Sequence, residues 1–185
     1  LLNTILGSLS AGGVANSYES IATVTVGAGG SSTISFTSIP QTFTHLQLRT
    51  IAKQTTAVSI ITTNLSFNSD TTNTNYARHE LYGNGSTTAA GGVATSTNLA
   101  KAVYYAGSGS EFGGAVVDIL DYTNTNKYKT IRALGGVDNN GSGFATFTSA
   151  LWLSTSAITR IDITFNNTAT AAQYSHFALY GIKGA

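Results

Sequence analysis

The stretch Gly114-Ala115-Val116-Val117-Asp118-Ile119-Leu120-Asp121-Tyr122, with the turn Thr123-Asn124-Thr125-Asn126 behind it, decides the fold. A β-branched and aliphatic run of this length, closed by Asn and Thr, predicts a strand and its turn. Tyr128 to Val137 predicts the strand that returns. Asp138-Asn139-Asn140-Gly141-Ser142-Gly143 predicts a second turn, and Phe144 to Leu153 a strand that pairs back.

Working outward, the same rhythm continues. Tyr76 to Tyr82 predicts a strand closed by Gly83-Asn84-Gly85. Residues 83–97 are Gly, Ser, Thr and Ala with little else, which predicts a long loop. Leu99 to Tyr105 predicts a strand ending at Gly107-Ser108-Gly109-Ser110. Val58 to Phe67 predicts another, ending in the loop Asn68-Ser69-Asp70-Thr71-Thr72-Asn73-Thr74-Asn75. Thr44 to Arg49 turns Leu46 and Leu48 inward. Ala22, Val24 and Val26 alternate with Ile21, Thr23 and Thr25. Ala28-Gly29-Gly30 then predicts a turn, and Ile34 and Phe36 resume the alternation, which is a hairpin signal. Pro40 lies between elements, where its missing N–H costs no ladder bond. Ile158 to Phe165 and Tyr174 to Ile182 predict the last strands.

This is about ten short strands with no helical stretch between them. The fold class is all-β: an antiparallel β-sandwich, jelly-roll-like. The expected inward face holds Leu46, Leu48, Phe67, Ile119, Ile131, Phe147, Trp152, Ile163 and Phe177. The domain spans residues 18–185. Residues 1–17 form a separate N-terminal arm, in which Leu2, Ile5, Leu6 and Leu9 fall on one face of a helix. Gly12 and Gly13 would end that helix. A helix this short is marginal alone in water, so Leu1, Leu2, Ile5, Leu6 and Leu9 are expected to dock into a partner's groove. Packing on its own domain, or a signal-peptide remnant without its basic region, are the alternatives. Leu1 is not a usual second residue after Met removal, so residues are expected to precede it.

Composition excludes several classes of function. The chain has 185 residues, no Cys and a net charge of +1. Disulfides, thiolate metal sites and cysteine nucleophiles are excluded. Scattered Lys and Arg argue against nucleic acid, which needs a basic stripe. No apolar run approaches the roughly 18 residues of a membrane span. Hydrophobic residues make up 42% of the chain, which argues against disorder. Only 9% of residues are charged, so the wet surface is built from hydroxyls and amides. Such a surface keeps free molecules apart poorly and suits a fixed assembly. Five Lys and one Pro are few guards for open sheet edges, which are expected to be covered by loops or other subunits.

Candidate chemistry is sparse. His45, His79 and His176 have no metal-ligand spacing. No G-x-S-x-G elbow is present. Asp118 and Asp121 bracket Ile119-Leu120, and positions three apart on a strand face opposite sides. Asp121 is expected to bond backbone near Asn124 instead. Asp138 to Gly143 matches the start of a calcium loop, but Ser149 stands where the bidentate Glu belongs, so a hairpin turn is expected. Asp70 in its Asn/Thr loop is an equally weak oxygen cage. Asn64, Asn84, Asn140 and Asn166 match N-x-S/T, as a Ser/Thr-rich chain does by chance. Tyr104-Tyr105, or Tyr122 with Tyr128, are candidates for stacking on sugar rings, although most sandwich tyrosines anchor strands. No catalytic residue, cofactor or metal is expected.

Three segments together resemble a known group of proteins. They are Phe67-Asn68-Ser69-Asp70 with Tyr82-Gly83-Asn84-Gly85, then Val117 to Lys127, then Phe177-Ala178-Leu179-Tyr180-Gly181-Ile182-Lys183. Over residues 18–183 this order is similar to small virion structural proteins of tailed bacteriophages, especially cyanophages and marine phages. The resemblance implies a non-enzymatic particle component: a capsid cement (decoration) protein, or a head or tail fibre module. The expected reading is a capsid-surface protein, a trimer, held on the major capsid protein or another virion protein by its arm. The alternative is a fibre module recognising host glycans through loops 68–75 or 83–97 and exposed Tyr. A small glycosidase is the remote third class.

Overall fold

A computed structural model describes residues 17–55, 61–97, 100–105, 110–138, 140–165 and 169–184, with backbone alone at 61–62 and 100–105. The arm residues Leu1, Leu2, Ile5, Leu6 and Leu9 lie outside the described residues. Twelve strands run in order: β1 Tyr18–Thr25, β2 Thr33–Phe36, β3 His45–Ala52, β4 Ile61–Phe67, β5 Tyr76–Gly83 and β6 Thr88–Val93, then β7 Ala100–Tyr105, β8 Gly113–Leu120, β9 Lys129–Asp138, β10 Gly143–Trp152, β11 Ile161–Phe165 and β12 His176–Ile182. The described residues contain no α-helix, only a 3-10 turn at Asn73–Asn75.

The strands form two antiparallel sheets. The large sheet has eight strands in the order β1-β12-β3-β8-β9-β10-β5-β6, and the small sheet has four in the order β2-β11-β4-β7. The quartets β1-β12-β3-β8 and β2-β11-β4-β7 carry the strand order of a jelly roll, in which early strands interleave with late ones. Two hairpins, β5–β6 and β9–β10, are inserted in that frame. Both join the large sheet and extend it well past the small one.

Alternation makes the core. Leu46 and Leu48 of β3, Val117 and Ile119 of β8, Ile131 of β9 and Trp152 of β10 point inward from the large sheet. Ile34, Phe67 and Ile163 meet them from the small sheet, all within one buried cluster. Phe67 packs 5.5 Å from Trp152, and Phe165 packs 6.4 Å from Phe177, across the two sheets. Each fully buried aromatic or aliphatic side chain contributes roughly 1.5–3 kcal/mol.

Three sequence expectations are corrected here. The β1–β2 segment is no hairpin: β1 pairs with β12 and β2 with β11, in different sheets. The Gly-rich turn, with Gly30 at φ +70°, carries the chain around the corner between sheets. Residues 83–97 are not all loop, because β6 pairs with β5 from Gly83↔Thr88 to Arg78↔Val93. Small side chains suffice on an exposed edge strand. The described residues hold twelve strands, close to the ten or so expected. Phe147 points outward and is 48% exposed. It lies five residues from Trp152, and an odd separation in a regular strand puts the two on opposite faces.

Candidate docking face

The outer face of the large sheet turns away from the small one. Strand register arranges its side chains in rows. Val116 of β8 stands opposite Leu134 of β9, Leu134 opposite Phe147 of β10, and Phe147 opposite Leu81 of β5. All four point to solvent, at 38%, 62%, 48% and 57% exposure respectively. Cross-strand neighbours of this kind sit about 4.5–5.5 Å apart, so the four make one unbroken apolar ladder. Between Leu81 and Phe147 it borders a shallow groove of about 260 Å³ that also touches His79, Ala90 and Ser149.

The rows beside the ladder differ. Two residues along each strand on one side come Gly114, Gly136, Ala145 and Gly83, also in register. This row has almost no side chains. Two residues along on the other side come Asp118, Arg132, Ser149 and His79. Asp118 takes a hydrogen bond from Gln47 Nε2 at 2.8 Å and lies 3.8 Å from Arg132. The His79 ring leans over Gly92 of β6, where a Cβ would come within 2.7 Å of it.

The ladder continues into an aromatic–cation cluster. Arg49 of β3 stands opposite Val116. Its guanidinium lies 5.1 Å from the Tyr180 ring centre and 5.5 Å from that of Tyr18, within range for cation–π attraction. Arg49 Nε also donates to Gln47 Oε1 at 2.7 Å. Tyr, Arg, Phe and Leu gathered on one face make a surface suited to burial against another subunit.

The other candidates take structural roles. Asp70 accepts from Trp152 Nε1 at 2.9 Å, Asn75 Nδ2 at 2.8 Å and the Thr72 N–H at 3.0 Å. Its carboxylate pins loop 68–75 to the core. Asp118 and Asp121 do not converge: β8 ends at Leu120, and Asp121 turns at φ +47°. Asn124 N–H does bond Asp121, but at its backbone oxygen. The Asp121 carboxylate instead pairs with Lys127, in a close contact, and lies 3.3 Å from His45 Nδ1. Lys127, against partial burial, holds that carboxyl below the usual range, with help from His45.

Asp138 accepts from the Asn140 N–H at 2.8 Å within the β9–β10 hairpin. His45 Nδ1 accepts the Asp121 N–H at 2.9 Å, and His176 Nδ1 bonds Thr25 Oγ1 at 3.0 Å. The three histidines serve separate contacts, and no group of three His, Asp or Glu side chains gathers among the described residues. Tyr122 is fully buried, and its hydroxyl donates to the Pro40 carbonyl, so it offers no ring to a sugar. Tyr128 is exposed. The side chains of Tyr104 and Tyr105 lie outside the described residues.

A second concavity, of about 670 Å³, opens between the turns Gly83–Gly85 and Gly141–Gly143. Phe112 and Phe144 line it, with Tyr82 stacked 5.8 Å behind Phe144. Sequence reasoning placed neither this groove nor the ladder. No family model matches the chain, and no curated protein or solved structure does either.

Proposed function

We propose that this protein is a structural subunit of a tailed-bacteriophage particle, a cement protein that decorates and reinforces the capsid surface. The observation that carries the reading is the exposed, in-register ladder Val116–Leu134–Phe147–Leu81. Contiguous apolar patches of a few hundred Å² on a soluble domain mark interaction surfaces. With 9% charged residues around it, this face gains most when another subunit covers it. The resemblance of three segments to small phage virion proteins supplies the setting. In this reading residues 1–17 give the attachment to the major capsid protein or another virion protein, and the outer sheet face serves contact between subunits. Mass spectrometry of purified virions, with imaging of labelled particles, tests it. The protein is expected on heads, in copy numbers that follow capsid symmetry. Its absence from virions overturns the reading.

The groove between the Gly83–Gly85 and Gly141–Gly143 turns favours a second reading, a fibre module that binds host glycans. Phe112 and Phe144 would supply apolar surface for a sugar ring. A glycan array with the isolated protein tests this. Reproducible binding that is lost in Phe112→Ala supports it, and a blank array ends it.

A further inference from the structure

We infer that the outer face of the large sheet is an isologous interface, and that its occupant is a second copy of this chain. The inference rests on the reading of the ladder as a contact between subunits, and names the partner.

The argument is the symmetry of the rows. On β8, β9, β10 and β5 the ladder residue is flanked by a bare position two residues to one side. A polar side chain stands two residues to the other. The four sets are Gly114–Val116–Asp118, Gly136–Leu134–Arg132, Ala145–Phe147–Ser149 and Gly83–Leu81–His79. Consider a two-fold axis lying in the interface along the ladder. Each strand then crosses its own copy, and ladder meets ladder. The raised polar row of one protomer falls over the empty glycine row of its partner, on the same strand. Asp118 faces Gly114, Arg132 faces Gly136, and His79 faces Gly83. The pattern is therefore complementary to itself, which is what an isologous contact requires.

Size and charge agree. Eight strands span about 34 Å, and their length is about 25 Å. The whole face thus offers roughly 850 Å², against about 800 Å² per partner in a standard interface, and the four strands that carry the row pattern make up about half of it. Asp118 lies beside Arg132 and the chain carries a net charge of +1; Arg49, at the end of the ladder row, meets its own copy across the axis, with its guanidinium held over the Tyr180 and Tyr18 rings.

Sedimentation equilibrium of the full chain, combined with thermal unfolding, tests the inference. The wild type is expected at twice the chain mass, with little change across moderate salt. Leu134→Glu is expected to fold normally, since Leu134 is exposed, and to sediment as a monomer. Gly114→Leu and Gly83→Leu form a second arm. Neither glycine has a positive φ, and a Cβ meets nothing closer than 3.7 Å at Gly114 or 3.8 Å at Gly83. Each should leave the fold intact, fill the recess for the partner's polar row, and weaken pairing about tenfold or more.

A monomeric wild type, the mass of a trimer, or pairs that persist in Leu134→Glu or in both glycine variants would overturn the inference. A monomer that still occupies virions and loses occupancy with Leu134→Glu assigns the face to a different partner, which leaves the particle reading standing. A pair absent from virions does the reverse.

Discussion

Trp152 donates its indole N–H to Asp70 Oδ2 across 2.9 Å, and so ties a surface loop to the middle of the aromatic core. Trp152 stacks on Tyr76 at 6.4 Å and packs against Phe67 at 5.5 Å. Tyr76 closes the circuit, donating its hydroxyl to the Asp70 backbone oxygen at 2.7 Å and accepting from the Phe67 N–H. Asp70→Ala would leave the buried indole N–H without its acceptor. A loss of about 1–3 kcal/mol is expected in urea unfolding.

Acid should act through the same carboxylate. Burial raises the Asp70 pKa, but hydrogen bonds from Trp152, Asn75 and Thr72 outweigh it and hold the folded value below 3.8. Asp162 behaves likewise: burial raises it, while Arg160 and Ser35 pull it down further. A lowered folded pKa means that the stabilisation is complete above the unfolded value and fades as pH falls through the folded one. Melting temperature should therefore hold steady above about pH 5 and drop below about pH 4. Asp70→Asn should flatten part of that drop. An unchanged acid limb in the variant would contradict the assignment.

Lys129 is a fully buried cation. Its ammonium donates to the backbone oxygens of Asn124 at 2.6 Å, Thr155 at 3.0 Å and Lys127 at 3.1 Å. Three donors meet three acceptors, which offsets the cost of desolvating the charge. The side chain thereby fastens the β8–β9 turn to the β10–β11 connection. Lys129→Met should lower the melting temperature by several degrees, corresponding to about 1–3 kcal/mol. Hydrogen exchange should quicken at both loops together.

Gly181 of β12 lies beneath the Phe43 ring, where an added Cβ would fall 2.3 Å from ring carbons. The ring covers bare backbone that no side chain could share. Gly181→Ala should cost about 1–3 kcal/mol through overpacking. Phe43→Leu in the same chain should restore part of it. Additive losses in the double variant would sink this account.

Thr148 on the inward face of β10 is fully buried, and its hydroxyl has no hydrogen-bond partner among the described residues. An unpaired buried hydroxyl is a standing cost. Thr148→Val keeps the shape and removes that cost, so stability should rise by about 1 kcal/mol. A loss measured by denaturant titration would show that the hydroxyl is paired in solution.

The sandwich was legible because alternation and Gly/Asn turns are local signals. Leu46, Leu48, Phe67, Ile119, Ile131, Trp152, Ile163 and Phe177 all point inward as expected. Phe147 does not, because strand parity overrides the hydrophobicity of a single side chain. Given Trp152 inside, Ala150, Thr148 and Thr146 must follow it, and Phe147 must face out. The ladder then follows from hairpin register, since Phe147 pairs with Leu134 across a short turn. Val116 joins through the β8–β9 turn in the same way, but Leu81 does not follow: β10 reaches β5 across more than sixty residues of sequence, as Trp152↔Tyr76 shows. No local pattern records such a pairing. The β1–β2 turn misled for the same reason, because a turn motif does not say whether the chain returns to its own sheet.

The interleaved strand order also sets when this protein can fold. Tyr18, in the first strand, pairs with Ile182 in the last, and β2 waits for Ile161–Phe165. During synthesis β1 through β4 emerge without the late strands that complete their sheets. Among the described strands only β5–β6, and later β8–β9 and β9–β10, pair neighbours in sequence and can close soon after they are made. A fold dominated by distant pairings is slow, on the order of milliseconds to seconds. Its unpaired strands stay open to aggregation until the last one arrives. The sparse charge along those strands leaves them few guards against wrong pairing, and the large sheet can close only once Ile182 is free to pair with Tyr18.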